Sequence, residues 1–418
     1  MVSLDYARKK KALIYAVALI IGVCCIVLSA CNNDAGIYDV SNKTTELELN
    51  HFIAKFIYVL YEQIGNFGWT VVVFTIILKV ALSPLEIWQK VVTRKNAKAM
   101  ERMKPQLEVL QAKYGDDKQK FQQEQLALYK REKYSMLGSC LPMIVMLVVF
   151  FVIFAGFREM VGWKFASDYQ DCYKVYDQSM TATLGTEDWQ ALQGVGDAEV
   201  YKNAHETAQQ AVYDFYYAPE QADSREFLWI KNIFSPDSWS DAVPDYLTVT
   251  GKSGMANSRI TGIDAEEYEM VMGKLLNQGG WGKNGSWNGW LLLPILSLVL
   301  SILSQKLLSA VQGTGEKKEK VPFKEKWAKL KNFGKPQEGD GNAEQKPADQ
   351  SQASMKMMTY IMPLMLTIFV LFYSSAFALY NVVSSVLALL IQLICNLVFM
   401  IIDKKKKDAP QVSYKTKK

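Results

Sequence analysis

The segment Trp69–Leu85 reads WTVVVFTIILKVALSPL and holds a single charged residue, Lys79. A helix needs about 20 mainly apolar residues to cross a bilayer, and this segment approaches that length. A charge inside such a segment is costly, so by default it indicates function. Thr75 and Ser83 each lie four residues from Lys79, which places the three side chains on one helical face. The segment therefore predicts a membrane helix with a polar face around Lys79.

Four further apolar segments approach or reach the length needed to span a membrane. They are residues 137–157, 290–308, 357–373 and 376–402. Tyr373-Ser374-Ser375 separates the last two segments and predicts a tight external turn, although a single long kinked helix is the alternative. The predicted fold class is an all-α polytopic membrane protein with five transmembrane helices.

Lysine and arginine are unevenly distributed among the connecting segments. Residues 86–136 carry 12 basic and 7 acidic residues, residues 306–356 carry 11 and 7, and the tail at 403–418 carries 7 and 2. Residues 158–288, in contrast, carry 10 basic and 20 acidic residues. Because cytoplasmic segments are enriched in Lys and Arg, we expect the mature N-terminus outside the cell and the C-terminus in the cytoplasm.

The connecting segments also differ in the structure they predict. Residues 31–68 are predicted to form an external segment, in which apolar residues at helical spacing over His51–Gly65 predict an interfacial amphipathic helix. Residues 86–136 predict two charged helices broken at Tyr114-Gly115-Asp116-Asp117, hence a cytoplasmic helical hairpin. Residues 158–288 predict a large external loop with room for a small domain, and residues 309–356 a largely disordered cytoplasmic linker.

The N-terminus has the order of a secretory signal. Arg8-Lys9-Lys10-Lys11 precedes an apolar run that ends in Leu28-Ser29-Ala30-Cys31, which resembles a bacterial lipobox. Residues 1–30 are therefore predicted to be a lipoprotein-type signal peptide, with Cys31 as the lipidated first residue of the mature chain. An uncleaved first transmembrane helix that contains cysteines is the alternative.

Polar side chains recur at helical spacing on two later spans. They are Ser297, Ser301, Ser304 and Gln305 on the third span and Asn381, Ser385 and Gln392 on the last. Together with the face of Lys79, these stripes would form a hydrated groove. Hydrogen bonding between helices explains each stripe as well, and snorkelling to the inner leaflet is an alternative role for Lys79.

The chain lacks the motifs of several function classes. No Asp, Glu or His lies inside a predicted span, which argues against a proton relay and against an intramembrane aspartyl protease or metalloprotease. Neither a GxxxxGK[ST] phosphate loop nor a GxSxG nucleophile motif occurs. The two histidines, His51 and His205, lie far apart in the sequence, so a structural zinc site is not expected. We therefore expect neither enzymatic activity nor a cofactor.

Several short motifs occur in an order that resembles the YidC/Oxa-type membrane protein insertases. They are Ile76-Ile77-Leu78-Lys79, Ser83-Pro84-Leu85, Met103-Lys104-Pro105-Gln106, Gly138-Ser139-Cys140-Leu141-Pro142, Phe227-Leu228-Trp229-Ile230, Ser235-Pro236-Asp237, Leu293-Pro294-Ile295, Met362-Pro363 and Leu379-Tyr380. The resemblance covers roughly residues 50–165, 226–238 and 288–403. The lipobox-like signal is similar to that of members from Gram-positive bacteria.

The resemblance implies five helices around a hydrophilic groove that opens to the cytoplasm and to lipid and is closed to the outside. Tyr380 joins the polar stripes in the implied groove. Where the family carries an arginine, this chain has Lys79, which keeps the charge but loses the planar fork of arginine. A second departure lies at Ser374–Asn381, where Pro, Gly and Trp of the family pattern Pro-x-Gly-Leu-x-Leu-Tyr-Trp are replaced. Residues 165–225 and 239–287 look like insertions.

The implied function is the insertion of membrane proteins without nucleotide hydrolysis. The implied partners are nascent membrane proteins and membrane lipid, with the ribosome and a Sec-type translocon as further candidates, and no specific recognition of nucleic acid. The basic tail at 403–418 either contacts the ribosome or anionic lipid, or serves as a positive-inside anchor. Two rival functions stay open: a small-anion transporter or channel that binds its solute at Lys79, and an adhesion or sensory lipoprotein that acts through residues 158–288.

Overall fold

The computed structural model describes residues 36–114, 117–132, 134, 136–193, 197–251, 259–276, 287–311, 371 and 373–408. The predicted signal peptide with Cys31 lies outside these residues. So do most of the linker at 309–356, almost all of the predicted fourth span and the end of the basic tail. The side chain of Gln305 is likewise outside the description.

Helices dominate the described residues. In chain order the elements are β1 (Ile37–Asp39), α1 (Phe52–Ile64), α2 (Phe67–Tyr114), α3 (Lys118–Arg131), α4 (Met136–Leu184), a 3-10 turn (Trp189–Leu192), α5 (Ala198–Tyr216), α6 (Pro219–Arg225), α7 (Tyr246–Val249), β2 (Arg259–Thr261), α8 (Ala265–Leu276), α9 (Leu292–Val311) and α10 (Ser375–Asp408).

The chain divides into two compact units. Unit 1 comprises Met1–Val80, Ile144–Ser297 and Leu366–Ser384, and unit 2 comprises Ala81–Met143, Leu298–Met365 and Ser385–Lys418. Three described helices are long and apolar enough to cross a membrane, namely Phe67–Tyr114, Val145–Leu184 and Ser375–Lys404, and Leu292–Ser304 is a shorter apolar helix. These helices agree with the predicted all-α membrane class. The number of five spans stays a prediction.

Helix α2 continues through Pro84 and Pro105 to Tyr114. The predicted first span ends at Leu85, together with the apolar segment. Proline commonly kinks or ends a helix, because it lacks a backbone N–H and its ring crowds the carbonyl four residues earlier. In this chain the residues after Pro84 are rich in Lys, Ala, Glu and Gln, which favour helix. The helix therefore continues beyond the end of the apolar segment in which it begins.

In unit 2, the end of α2 and helix α3 form the predicted hairpin. The break falls at the predicted position, since α2 ends at Tyr114 and α3 begins at Lys118. Asp117 caps α3, and the hydrogen bond that its carboxylate accepts from the Lys120 backbone N–H (3.1 Å) lowers the pKa of Asp117. The buried residues that join the two helices are Ala99, Met103, Leu107, Leu128 and Tyr129.

In unit 1, helix α4 runs on to Leu184, well past the predicted span end at Phe157. The continuation carries Tyr169, Cys172 and Tyr176, all of which are buried. Residues 165–225, predicted as an insertion, therefore begin as an extension of a membrane-length helix rather than as a separate loop.

Helices α5 and α8 pack on each other to complete a small helical domain in unit 1. The buried residues of α5, Ala204, Ala208, Val212 and Tyr216, recur every four positions and so form one face. The facing core residues on α8 include Tyr268, which is 2% exposed. Strands β1 and β2 pair in parallel beside this domain, with Tyr38 opposite Ile260.

One loop, residues 232–238, fixes the N-termini of α9 and α10. Asp237 Oδ1 accepts hydrogen bonds from the backbone N–H groups of Trp290 (2.8 Å) and Leu291 (3.0 Å), and Oδ2 accepts one from Leu293 (2.7 Å). A carboxylate at this position satisfies N–H groups that have no partner within the helix and favours the positive end of the helix dipole.

The same loop holds the start of α10 through Ser235. The Ser235 carbonyl oxygen accepts hydrogen bonds from the Ser375 backbone N–H (2.8 Å) and from the Ser375 hydroxyl (2.7 Å). Tyr373 and Ser374 are not helical. A new helix therefore begins after Ser374. The tight external turn stays a prediction, because almost all of the preceding span lies outside the described residues.

Candidate functional site

Lys79 lies at the border between two faces of α2. The face of Ile76, Ile77 and Val80 is exposed, with 44%, 43% and 68% of these residues accessible. The opposite face, which includes Phe74 and Thr75, is buried. Lys79 itself is half-buried. A cation at such a border lies next to a surface suited to lipid while its stem packs on the protein.

Five residues of the predicted groove belong to unit 1, and two of them bond to their own helices. The Thr75 hydroxyl donates a hydrogen bond to the Val71 carbonyl oxygen (2.6 Å), and the Asn381 side-chain amide donates one to the Phe377 carbonyl oxygen (2.8 Å). Such bonds satisfy a polar group without a neighbouring helix. The five residues are Thr75, Lys79, Ser297, Tyr380 and Asn381.

Tyr380 and Ser297 take different positions in unit 1. The ring of Tyr380 packs against Phe377 and Phe157, with ring centroids 5.8 Å and 5.7 Å away. It therefore belongs to an aromatic cluster and is 7% exposed. Ser297, on α9, is 4% exposed. The sequence marked these residues as polar, but could not show that aromatic packing fixes Tyr380.

The other described residues of the predicted groove belong to unit 2, where Gln392 has the clearest polar contacts. Its amide oxygen accepts a hydrogen bond from the Lys90 ammonium, and its amide nitrogen donates one to Asn396 Oδ1 (2.7 Å). Gln392 is 2% exposed, so these bonds offset the cost of burying its amide. The remaining members, Ser83, Ser301, Ser304 and Ser385, are half-buried.

Unit 2 also contains a basic ladder, defined as Lys90, Arg94 and Lys98 at four-residue intervals on α2. The Arg94 guanidinium donates a hydrogen bond to Asp403 Oδ2. Lys98 Nζ lies 3.2 Å from Asp403 Oδ2 and 3.3 Å from Oδ1. The Arg94 guanidinium carbon also lies 4.2 Å from the centroid of the Phe399 ring. Asp403 on α10 thus accepts bonds from two rungs of the ladder.

The periodicity of an α-helix explains the ladder. Residues four apart are neighbours on the same face, so the pattern Lys-x-x-x-Arg-x-x-x-Lys brings three cations into line. These residues were interpreted only as part of a basic cytoplasmic segment, because the predicted span ended at Leu85. The four-residue spacing was the signal that would have identified the ladder. Its acidic partner, Asp403, depends on tertiary pairing and has no local signal.

The ion pairs of Asp403 are partly open to solvent. The side chain of Asp403 is 43% exposed, that of Lys98 is 51% exposed and that of Arg94 is 16% exposed. Ion pairs at exposed positions contribute only ~0–1 kcal/mol, because water and salt screen the charges. The pair with Lys98 therefore adds little stability, whereas the pair with the largely buried Arg94 is less screened.

Comparison with known proteins places the chain in a family. The family model described as 60Kd inner membrane protein matches residues 59–404, which is most of the chain. The membrane protein insertase YidC of Stenotrophomonas maltophilia (strain K279a) is 37% identical over 102 residues, covering 24% of this chain and 17% of that protein.

Two other relatives give matches of similar strength. The membrane protein insertase YidC of Azotobacter vinelandii is 34% identical over 145 residues, covering 32% of this chain and 25% of that protein. The membrane protein insertase YidC of Bordetella avium is 38% identical over 136 residues, covering 30% and 23%. The aligned part of this chain thus spans a quarter or less of the length of these relatives. By the match over residues 59–404, the chain belongs to the 60Kd inner membrane protein family, which is the YidC/Oxa-type insertase family.

Proposed function

We propose that this protein inserts membrane proteins, moving polar segments of a nascent chain across the bilayer and releasing its helices into lipid without nucleotide hydrolysis. Membership of the insertase family supports the proposal at the level of function. The observation that carries it at the level of residues is the position of Lys79, a cation at the border of the exposed apolar face of α2.

The proposed role of Lys79 is to attract the acidic, exported segment of a client. Two unit charges 4 Å apart attract by about 4 kcal/mol at an effective dielectric of 20, compared with about 1 kcal/mol in bulk water. A groove that extends only part of the way through the bilayer shortens the hydrocarbon path that the polar segment must cross. The proposed groove residues that hydrate this segment are Thr75, Ser83, Ser297, Ser301, Ser304, Gln305, Tyr380, Asn381, Ser385 and Gln392.

The proposed topology follows the distribution of charge. The hairpin at 86–136 and the basic tail at 403–418 face the cytoplasm, and residues 158–288 face the outside. In this arrangement the hairpin receives the nascent chain, with the ribosome and a Sec-type translocon as candidate partners. A mature N-terminus anchored by lipid at Cys31 is part of the same proposal.

Replacement of Lys79 tests the proposal. We expect Lys79→Ala to reduce insertion of single-span clients with acidic tails by about tenfold, equivalent to ~1.4 kcal/mol, and Lys79→Arg to retain it, because the effect depends on charge. The measurement is protease-protected client in liposomes that contain the purified protein. Clients with neutral tails and the variant Lys174→Ala, which removes a surface cation from α4, are the controls.

Two outcomes would contradict this assignment. If Lys79→Ala inserted acidic clients as well as the wild type, the proposed role of Lys79 would fail. If the wild type instead carried small anions into sealed liposomes and inserted no client, the alternative of an anion transporter or channel with Lys79 as binding site would replace the insertase.

A further inference from the structure

We propose that Arg94 and Lys98 form a binding site for a carboxylate of an incoming acidic polypeptide, and that Asp403 occupies this site in the resting protein. The proposal rests on the proposed insertase function and assigns a second point of client recognition to unit 2. It identifies the ligand by its chemistry, a chain segment with several aspartate or glutamate residues.

The two cations are arranged as a carboxylate site. Asp403 Oδ2 is shared by Arg94 and Lys98, and Lys98 also lies 3.3 Å from Oδ1. Charge-assisted hydrogen bonds of this kind are the stronger class in proteins. Phe399 lies 4.2 Å from the guanidinium carbon of Arg94, so a cation–π contact helps to orient the guanidinium before any ligand arrives.

The site can exchange its occupant. Asp403 and Lys98 are each about half exposed, which makes the carboxylate of Asp403 reachable from water. Of the two ion pairs of Asp403, the one with Lys98 is exposed and therefore weak, whereas Arg94 is only 16% exposed. A client segment with several carboxylates offers several such pairs at once and can thereby displace the side chain of Asp403. Asp403 then acts as an internal competitor for the two cations. It hinders the binding of weakly acidic segments, which need these cations, more than the binding of neutral segments.

The spacing of the ladder matches an extended chain. Residues four apart on an α-helix are separated by about 6 Å along the axis, and two residues of an extended chain span about 6.6 Å. Acidic residues at alternate positions of a client would therefore meet Lys98 and Arg94, the two rungs that Asp403 occupies. The ladder thus favours a client in which acidic residues alternate with others.

A purely structural role for Asp403 makes the opposite prediction. If its ion pairs only stabilise the packing of α10 on α2, their removal lowers the stability of the protein and the insertion of every client. If Asp403 competes with clients, Asp403→Asn increases insertion of acidic clients relative to neutral ones. The ratio of the two rates in the same preparation is independent of the amount of folded protein.

The test uses the full chain in liposomes and two single-span clients, whose exported tails carry alternating aspartates or asparagines at the same positions. We expect Asp403→Asn to raise the acidic-to-neutral ratio of insertion rates about two- to fivefold, the range expected for a partly exposed ion pair. We expect Arg94→Gln combined with Lys98→Gln to lower it. The matched control is Asp171→Asn, because Asp171 is 44% exposed and pairs with Lys174 at 3.2 Å.

Binding of an isolated peptide with the aspartate-bearing tail sequence tests the carboxylate site separately from the insertase function. Fluorescence anisotropy with the detergent-solubilised protein should show tighter binding to Asp403→Asn than to the wild type or to Asp171→Asn. An unchanged or lower insertion ratio in Asp403→Asn would overturn the carboxylate site even if the wild type inserts both clients. If the wild type inserts neither client, the proposed insertase function fails. If Asp403→Asn binds the peptide no more tightly than the wild type, the carboxylate site is overturned as well.

Discussion

At the scale of single residues, Asp237 is the side chain on which the start of α9 depends. It is 2% exposed, and its two oxygens accept three backbone hydrogen bonds. Removal of a capping carboxylate costs about 0.5–2 kcal/mol, and N–H groups left buried without a partner add to that cost.

We therefore expect Asp237→Ala to lower the thermal unfolding midpoint of the protein in detergent, with Asp237→Asn intermediate because its amide oxygen can still accept. Ser238→Ala, at the next and half-buried position, is the control, because the Ser238 hydroxyl bonds to Ser240 rather than to α9. An unchanged midpoint in Asp237→Ala would show that water or a neighbouring group replaces the carboxylate.

The sequence identifies single residues that are unusual for their surroundings, but not the residues that they contact in the fold. Lys79 is evident in the sequence because a charge in an apolar segment is rare. Gln392 was also identified, but its partner Lys90 was not, because that contact joins residues from two distant helices. Asp403 was interpreted only as part of a basic tail, since its neighbours in the sequence are lysines.

At the scale of elements, the hairpin of α2 and α3 depends on a small apolar core. Met103 is fully buried in it, whereas Val109 on the same helix is 67% exposed. Replacement of a buried Met by Ala costs roughly 2–5 kcal/mol in protein cores.

We expect Met103→Ala to open the hairpin locally, so that backbone amides of α3 exchange with deuterium at least ~30-fold faster, the equivalent of about 2 kcal/mol. Val109→Ala should leave the exchange of α3 unchanged. Equal exchange in the two variants would mean that the hairpin is held by contacts other than its core.

Apolar segments in the sequence predicted where helices occur, but not where they end. The span predicted to end at Phe157 is followed by Arg158 and Glu159, which mark the limit of an apolar environment. Helix α4 nevertheless continues to Leu184, because polar residues are compatible with helix and the outer part of α4 gains its own packing from Tyr169 and Tyr176. Charge in the sequence therefore predicts where an apolar segment ends, whereas tertiary contacts decide where the helix ends.

At the scale of the whole molecule, the proposed topology can be tested by labelling. In a background in which Cys24, Cys25, Cys140, Cys172 and Cys395 are replaced and Cys31, the proposed lipidation site, is kept, we expect Lys202→Cys on α5 to react in intact cells with a membrane-impermeant maleimide. Lys120→Cys on α3 should react only after permeabilisation. Both lysine side chains are well exposed, at 73% and 68%, so a difference in labelling reports the side of the membrane. The reverse pattern would contradict the charge-based orientation.

The continuity of α4 has a mechanical consequence. Its stretch Val145–Leu184 has 40 residues and follows the proline of this helix, Pro142, and at 1.5 Å per residue it is about 60 Å long. A rod of that length that tilts by about 5° at one end moves its other end by roughly 5 Å. A change in the angle of the apolar part of this stretch would therefore be transmitted as a displacement of its far end, without a proline hinge between Val145 and Leu184.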